Sequence, residues 1–159
     1  MLELTPSRAA IVSCLDEGGV LDGMPDFPGA FKARTAPDEL WLIGPASSAA
    51  ALLAHAGRHL EGAASHGLAA DLSDGWSVLT VRGSEVSLVW ERLSENPIPE
   101  GRPVLVQGAV AMVATKAIVF DTHIHFVNPA PLGYHLPRRI LNGCADLAPR
   151  LTPSAEFAL

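Results

Sequence analysis

The sequence has 159 residues, enough for one domain with a substantial core. With 48% hydrophobic and 18% charged residues, it is a globular chain that leans apolar and leaves a face for a partner. A formal charge of −6 without a basic stripe argues against nucleic-acid binding.

The sequence contains no signal for export or membrane insertion. Cys14 and Cys144 stand far apart, which predicts neither a disulfide framework nor a metal cluster. Residues 1–6 lack the positive flank and the apolar run of a signal peptide. The longest apolar stretch, residues 104–113, is too short to cross a bilayer. We therefore expect a cytoplasmic protein without a membrane segment.

Composition and hydrophobic periodicity divide the chain into three parts. Residues 1–30 are expected to be a peripheral arm, in which 9–15 fit either a strand or a short helix and 16–29 are rich in Gly, Pro and Asp. Residues 31–148 are expected to form a single α+β domain. Residues 149–159 are expected to be a loose tail.

The first half of the domain predicts a hairpin followed by a helix. Residues 31–35 and 39–44 are typical of two strands joined by a turn. A helix follows and is expected to end within residues 62–67, which begin and end with glycine. Its apolar face consists of Ala49, Leu52, Leu53, Ala56 and Leu60.

A short strand is expected at residues 68–72, and residues 71–93 predict a turn, a strand, a glycine and a helix. After a turn, Trp76, Val78 and Thr80 alternate on one face of the strand. Ser84 is expected to cap the helix. The apolar face of that helix consists of Val86, Val89, Trp90 and Leu93.

The second half predicts three strands and a final helix. Residues 104–115 form one long apolar run in which Gly108 is typical of a bulge, and Lys116 is expected to lie in a tight turn. Shorter strands are expected at 117–121 and 123–128. The last helix has its apolar face at Leu136, Ile140, Cys144 and Leu147.

This order predicts an α+β fold in which a β-β-α unit repeats. Because the strands come in pairs, helices packed on a mostly antiparallel sheet are favoured over a parallel dinucleotide-binding sheet. The sequence also lacks the glycine-rich loops that hold a nucleotide phosphate.

Asp121, His123 and His125 are the candidate metal ligands. On a strand, alternate residues project to one face, which is how a His-x-His pair binds a metal ion. The competing interpretation is a polar face of a sheet without a metal, and we favour that interpretation because a short His-x-His is common by chance.

Other chemically suggestive residues have ordinary structural interpretations. His55 and His59 stand one helical turn apart but lack the glutamate of a zinc-protease motif, so we expect solvated helix surface. Ser73 lies between two strands rather than at a nucleophile elbow, and Asp71 and Asp74 are expected to bond the backbone of that turn. The tryptophans could stack on a planar ligand, but core positions are favoured for Trp41, Trp76 and Trp90.

Two segments resemble a known family. Asp38–Pro45, Asp-Glu-Leu-Trp-Leu-Ile-Gly-Pro, resembles D-E-W-L-L-x-G-P. Asp71–Gly75, followed by a strand, Gly83 and an amphipathic helix, resembles D-x-S-D-G and the segment after it. Both patterns belong to the gamma subunit of heterotetrameric sarcosine oxidase, which is related to the folate-binding domain of aminomethyltransferases. The likeness covers about residues 31–147.

The resemblance implies a small subunit that binds no cofactor itself and supports assembly with larger alpha and beta subunits. Those subunits would carry FAD, FMN, NAD and tetrahydrofolate and would demethylate sarcosine oxidatively. The chain departs from the family pattern at residues 1–30, at 128–130 and at Asp121, which Thr122 follows instead of a second acidic residue. No catalytic or folate-binding residue is therefore carried over.

Three hypotheses remain open from the sequence. The first is a non-catalytic subunit of a sarcosine-oxidase-like complex, with larger subunits or further copies of this chain as partners. The second is a stand-alone folate-binding or aminomethyltransferase-like protein, which requires a cavity with an aromatic ring and a buried carboxylate. The third is a metal-binding domain that uses Asp121, His123 and His125.

Overall fold

The computed structural model describes residues 1–63 and 66–159. Within these ranges the strands are β1 (Leu2–Leu15), β2 (Phe31–Ala36), β3 (Glu39–Pro45), β4 (Leu68–Asp71), β5 (Trp76–Arg82), β6 (Val104–Val110), β7 (Val113–Val119), β8 (His123–Pro129), β9 (Pro149–Leu151) and β10 (Ala155–Glu156). The helices are α1 (Gly18–Asp22), α2 (Ala49–Gly62), α3 (Val86–Leu93) and α4 (His135–Gly143).

The chain folds into two compact units. The first unit contains Met1–Ser7 and Gly75–Ala155, and the second contains Arg8–Asp74 and Glu156–Leu159. The long strand β1 therefore contributes its first residues to one unit and its remaining residues to the other.

The first unit is a sheet with two helices on one face. β5 pairs antiparallel with β1 and β8, β7 lies between β8 and β6, and β9 pairs parallel with β1. Trp90 of α3 stacks on Phe126 of β8 with ring centroids 6.3 Å apart. The shared core includes Leu79, Val81, Val89, Trp90, Ile124, Phe126, Leu136 and Ile140.

The second unit is a smaller antiparallel sheet covered by α2. β1 pairs with β3 on one side and with β4 on the other, and β2 pairs with β3. Apolar residues of α2 enter the core at the predicted spacing, except that Leu53 is 36% exposed. The helix ends at Gly62, and part of the expected break over 62–67 lies outside the described residues. The core includes Val12, Cys14, Leu40, Leu42, Leu52, Ala56 and Leu60.

The predicted peripheral arm and loose tail are wrong. Residues 2–15 form the strand that pairs with β3, β4, β5 and β9, and Leu2, Leu4 and Val12 are fully buried. Phe157 is also buried, and its N–H donates to the carbonyl of Arg8. The expected single domain over 31–148 is wrong for the same reason, because both units need segments from outside that range.

The predicted boundaries in the second half also need correction. The run 104–115 is two strands, because the chain turns at Ala111–Met112, and Lys116 lies within β7. Gly108 pairs in regular register with Thr115, so no bulge occurs there. Glu85, not Ser84, occupies the N-cap position of α3.

The fold class is confirmed in its coarse form. The structure combines helices with a mostly antiparallel sheet, and the predicted element order between residues 31 and 147 is observed. Among the described residues, no helix is both long and apolar enough to cross a membrane.

Candidate functional site

The two histidines of the predicted metal row lie on β8 and are buried. Ile124 and Phe126 point into the core with α3 and α4, so strand alternation places His123 and His125 on the opposite face of the sheet. We call this the polar face. The two imidazole rings meet edge to face at 4.8 Å, and Phe120 stacks on His123 at 4.4 Å.

Asp121 does not join the histidines, so the expected three-residue row is wrong. It lies in the turn before β8, where the chain reverses after Phe120, whose N–H donates to the carbonyl of His123. Its exposed carboxylate forms an ion pair with Arg102, with Oδ1 3.0 Å from Nε. Within 1–63 and 66–159, no three His, Cys, Asp or Glu side chains are arranged to hold a metal ion.

A chain of side-chain hydrogen bonds crosses three strands of the polar face. Ser7 Oγ of β1 lies 2.6 Å from Thr80 Oγ1 of β5, and Thr80 Oγ1 lies 2.8 Å from His125 Nδ1 of β8. Thr80 and His125 are buried, so these bonds replace those that water would make. The serine and threonine therefore hold the imidazole in position.

Both imidazoles are electrically neutral at neutral pH. Burial, together with a smaller contribution from the positive charge of Arg82 on the paired strand, lowers the pKa of His123 to about 4. Burial lowers the pKa of His125 to about 3, with smaller contributions from His123 and Arg82. Such weak bases are poor proton acceptors near pH 7, so this cluster does not resemble a general acid–base site.

The other predicted histidines are half-buried and hold a loop. His55 Nε2 donates to the carbonyl of Pro25 at 3.0 Å, and His59 Nε2 donates to the carbonyl of Val20 at 2.7 Å. The predicted helix surface is therefore observed only in part, because both side chains also bond the backbone of a neighbouring segment. The two side chains tie α2 to the Gly- and Pro-rich segment after β1.

The turn before β5 is built as predicted for Asp71. Its Oδ1 atom accepts hydrogen bonds from the N–H and the hydroxyl of Ser73, and Ser73 Oγ accepts the N–H of Ile11 at 3.0 Å. The hydroxyl of Ser73 is thus a structural link within the second unit.

Two tryptophans are core residues and the third is partly exposed. Trp41 and Trp90 are buried, and their indole N–H groups donate to the Glu39 carboxylate and to the carbonyl of Asn96. Trp76 is half-buried at the start of β5, so the expectation of a core position fails there.

The most exposed apolar side chain belongs to a turn that the sequence did not indicate. Among the described residues, Met112 is 88% exposed, the largest value for a large hydrophobic residue. It forms the two-residue loop of the β6–β7 hairpin with Ala111, and their φ angles are 66° and 51°. A positive φ at both loop residues suits Asn-Gly and is unfavourable for Ala and Met.

Helices α3 and α4 hold this turn in place. The N–H of Ala111 donates to the carbonyl of Leu93 at 2.7 Å, and His135 Nε2 donates to the carbonyl of Ala111 at 3.1 Å. A cleft of about 320 Å³ adjoins the turn. It is lined by Arg92, Leu93, Ser94, Glu95, Ala109, Ala111, Met112 and Arg139.

No protein-family model and no curated protein matches the sequence. The fold does match solved structures. A chain of heterotetrameric sarcosine oxidase from Corynebacterium sp. U-96 matches with a TM-score of 0.76 and 16% identity, over 92% of this chain and 85% of that chain. Glycine cleavage system aminomethyltransferase T from Bartonella henselae matches with a TM-score of 0.63 and 12% identity, over 95% of this chain and 47% of that chain.

A chain of the aspartokinase alpha and beta subunits matches with a TM-score of 0.52 and 9% identity, over 90% of this chain and 97% of that chain. At these identities the likenesses show the fold. They confirm, at that level, the resemblance to sarcosine oxidase and to the aminomethyltransferases that Asp38–Pro45 and residues 71–93 indicated.

Proposed function

We propose that this chain is a non-catalytic small subunit of a heterotetrameric, sarcosine-oxidase-like complex and that it supports assembly of that complex. The observation that carries the proposal is the fold likeness to a chain of a heterotetrameric enzyme. The TM-score is 0.76 for the chain of heterotetrameric sarcosine oxidase and 0.63 for aminomethyltransferase T, of which the match spans 47%. The likeness to the sarcosine oxidase chain is the stronger of the two, and it favours a role within an assembly.

In this proposal the larger subunits hold FAD, FMN, NAD and tetrahydrofolate and demethylate sarcosine, while this chain binds none of these cofactors. The arrangement of its polar side chains supports that division. His125 is hydrogen-bonded to Thr80 with a strongly lowered pKa, and Ser73 bonds the backbone of β1. These groups are therefore used to stabilise the fold. In a catalytic site they would face a substrate instead.

The hairpin turn is the surface that we assign to the partner. Met112 projects from a turn that two helices hold in place, and the exposed Arg139 lines the adjoining cleft. An exposed methionine adapts well to an apolar pocket. The occupant is therefore a face of a larger subunit with an apolar socket for Met112 and a carboxylate near Arg139.

The unfavourable backbone of the turn supports the same assignment. Residues with strained φ angles persist where the surrounding structure holds them, and they cluster at functional sites. Here the strain keeps a flexible apolar side chain in solvent, where it contributes little to the stability of the isolated chain.

The test is to purify the tagged chain from the cells that make it. We expect flavin-containing larger chains to co-purify in fixed stoichiometry, and the complex to oxidise sarcosine and release hydrogen peroxide. Met112→Asp and Arg139→Glu should each reduce co-purification at least tenfold, while Leu53→Asp, an exposed site in the second unit, should not. Circular dichroism of each variant checks that it is folded.

The outcomes separate the proposal from the surface assigned to it. Purification of the chain without flavoprotein partners, or turnover of sarcosine or a folate-linked donor by the chain alone, would overturn the subunit role. Normal complex formation by folded Met112→Asp would leave that role standing and would overturn the assigned surface.

A further inference from the structure

A second cleft in the first unit opens on the polar face, at the end away from the histidines. Gln107 of β6 lies opposite Lys116 of β7, and Lys116 lies opposite Val127 of β8. Val127 pairs with Val78, two residues along β5 from Trp76. The side chains of Trp76, Lys116 and Gln107 therefore project from three strands on one face.

The size and lining of this cleft suit a small ligand. Its volume is about 370 Å³, near the lower end of the range of roughly 300–1,000 Å³ for small-molecule sites. Apolar groups form most of its wall, together with the polar residues Gln107, Thr115 and Lys116. The other residues that line it are Trp76, Gly108, Ala109, Ala114 and Pro129.

The electrostatics of the cleft favour an anion beside an aromatic ring. Lys116 Nζ lies 5.2 Å from the centroid of the Trp76 ring, within the range of a cation–π contact. The described residues that line the cleft include no carboxylate. A flat apolar ligand can stack on the indole, and a carboxylate on that ligand can accept a hydrogen bond from the ammonium group.

We propose that this cleft binds a small aromatic carboxylate. The ring of the ligand lies against Trp76, Lys116 Nζ donates to its carboxylate, and the Gln107 amide donates a further hydrogen bond. The four rotatable bonds of the lysine let its ammonium group move from the indole face to the carboxylate. This site is independent of the proposed subunit role, since it uses only residues of this chain.

The indole N–H resonances of the ¹⁵N-labelled full chain report on the site directly. Benzoate should shift the Trp76 resonance saturably and leave those of the buried Trp41 and Trp90 in place. Benzyl alcohol, which lacks the charge, and acetate, which lacks the ring, should each require at least tenfold higher concentrations. An unmoved Trp76 resonance would overturn the proposal, as would equal responses to the three probes.

Two variants test the assigned contacts. Lys116→Gln should weaken benzoate binding about tenfold, because the charge pair is lost, whereas benzyl alcohol, which forms no charge pair, should bind no more weakly. Arg138→Gln, which removes an exposed cation of α4 that does not line this cleft, should bind benzoate as the unmodified chain does. Unchanged Trp41 and Trp90 resonances establish that Lys116→Gln is folded. Normal benzoate affinity in that variant contradicts the proposal.

Discussion

The Nδ1 atom of His125 lies 2.8 Å from the Oγ1 atom of Thr80, directly across the β5–β8 pair. Both side chains are buried, and Thr80 Oγ1 is also 2.6 Å from Ser7 Oγ. The hydroxyl of Thr80 thus connects the first strand of the chain to the strand that carries the histidine pair.

Removal of this hydroxyl should destabilise the first unit. Thr80→Val keeps the shape of the side chain but leaves the buried Nδ1 atom of His125 without its bond to β5, which costs about 1–3 kcal/mol of the free energy of unfolding. Thr80→Ser retains the hydroxyl and should cost less. Urea denaturation measures both variants, and equal loss in the two would contradict the assigned role.

The neutral histidine pair should make the fold sensitive to acid. The pKa values of about 4 for His123 and about 3 for His125 lie below the ordinary value of 6.5, so the unfolded chain binds protons first as pH falls. The associated stability is complete above pH 6.5 and is lost progressively as pH falls below it. Between pH 7 and pH 5 the expected loss is about 2 kcal/mol per histidine.

Urea denaturation at pH 7, 6 and 5 measures this dependence. His123→Gln should remove about half of it, and His66→Gln, at an exposed position, should leave it unchanged. A pH dependence that survives intact in His123→Gln would show that other groups cause it. The carboxylates with lowered pKa values, Asp26, Asp146 and Glu156, titrate below this window.

Gly83 should not tolerate a side chain. Its φ angle is 143°, and an added Cβ atom would lie 2.6 Å from the carbonyl oxygen of Met1. Gly83→Ala should therefore lower the free energy of unfolding by about 1–3 kcal/mol. At Gly75 an added Cβ meets no atom within 4 Å, so Gly75→Ala serves as the control in the same thermal unfolding experiment. Equal melting temperatures for the two variants would exclude this role for Gly83.

Met112→Gly should stabilise the isolated chain while weakening partner binding. Glycine adopts the φ angle of 66° without the cost that a side chain incurs, which should add about 0.5–1 kcal/mol to the free energy of unfolding. Little packing is lost, because Met112 is 88% exposed. Thermal unfolding measures the expected gain in stability, and co-purification measures the expected loss of partner binding. Destabilisation by glycine would mean that the methionine packs on its own chain.

The sequence alone predicted the features that depend on neighbours a few residues apart. The alternation of Trp76, Val78 and Thr80 indicated β5, and the helical spacing of Val86, Val89 and Trp90 indicated the buried face of α3. Asp38–Pro45 and residues 71–93 indicated the family whose fold the structure matches. Periodicity is a local property, so it can be read before any long-range pairing is known.

Tertiary structure alone decided the features that depend on register and distant segments. β1 is buried because strands far along the chain pair with it, and nothing within residues 1–30 predicts those partners. The turn at Ala111–Met112 carries no Gly, Asn or Pro, so its place follows from the pairing of β6 with β7 and from bonds to α3 and α4. Likewise, His125 and Thr80 are 45 residues apart, and Lys116 reaches Trp76 across β8. Such relationships exist only once the register is set, because a shift of one residue would move each side chain to the other face of the sheet.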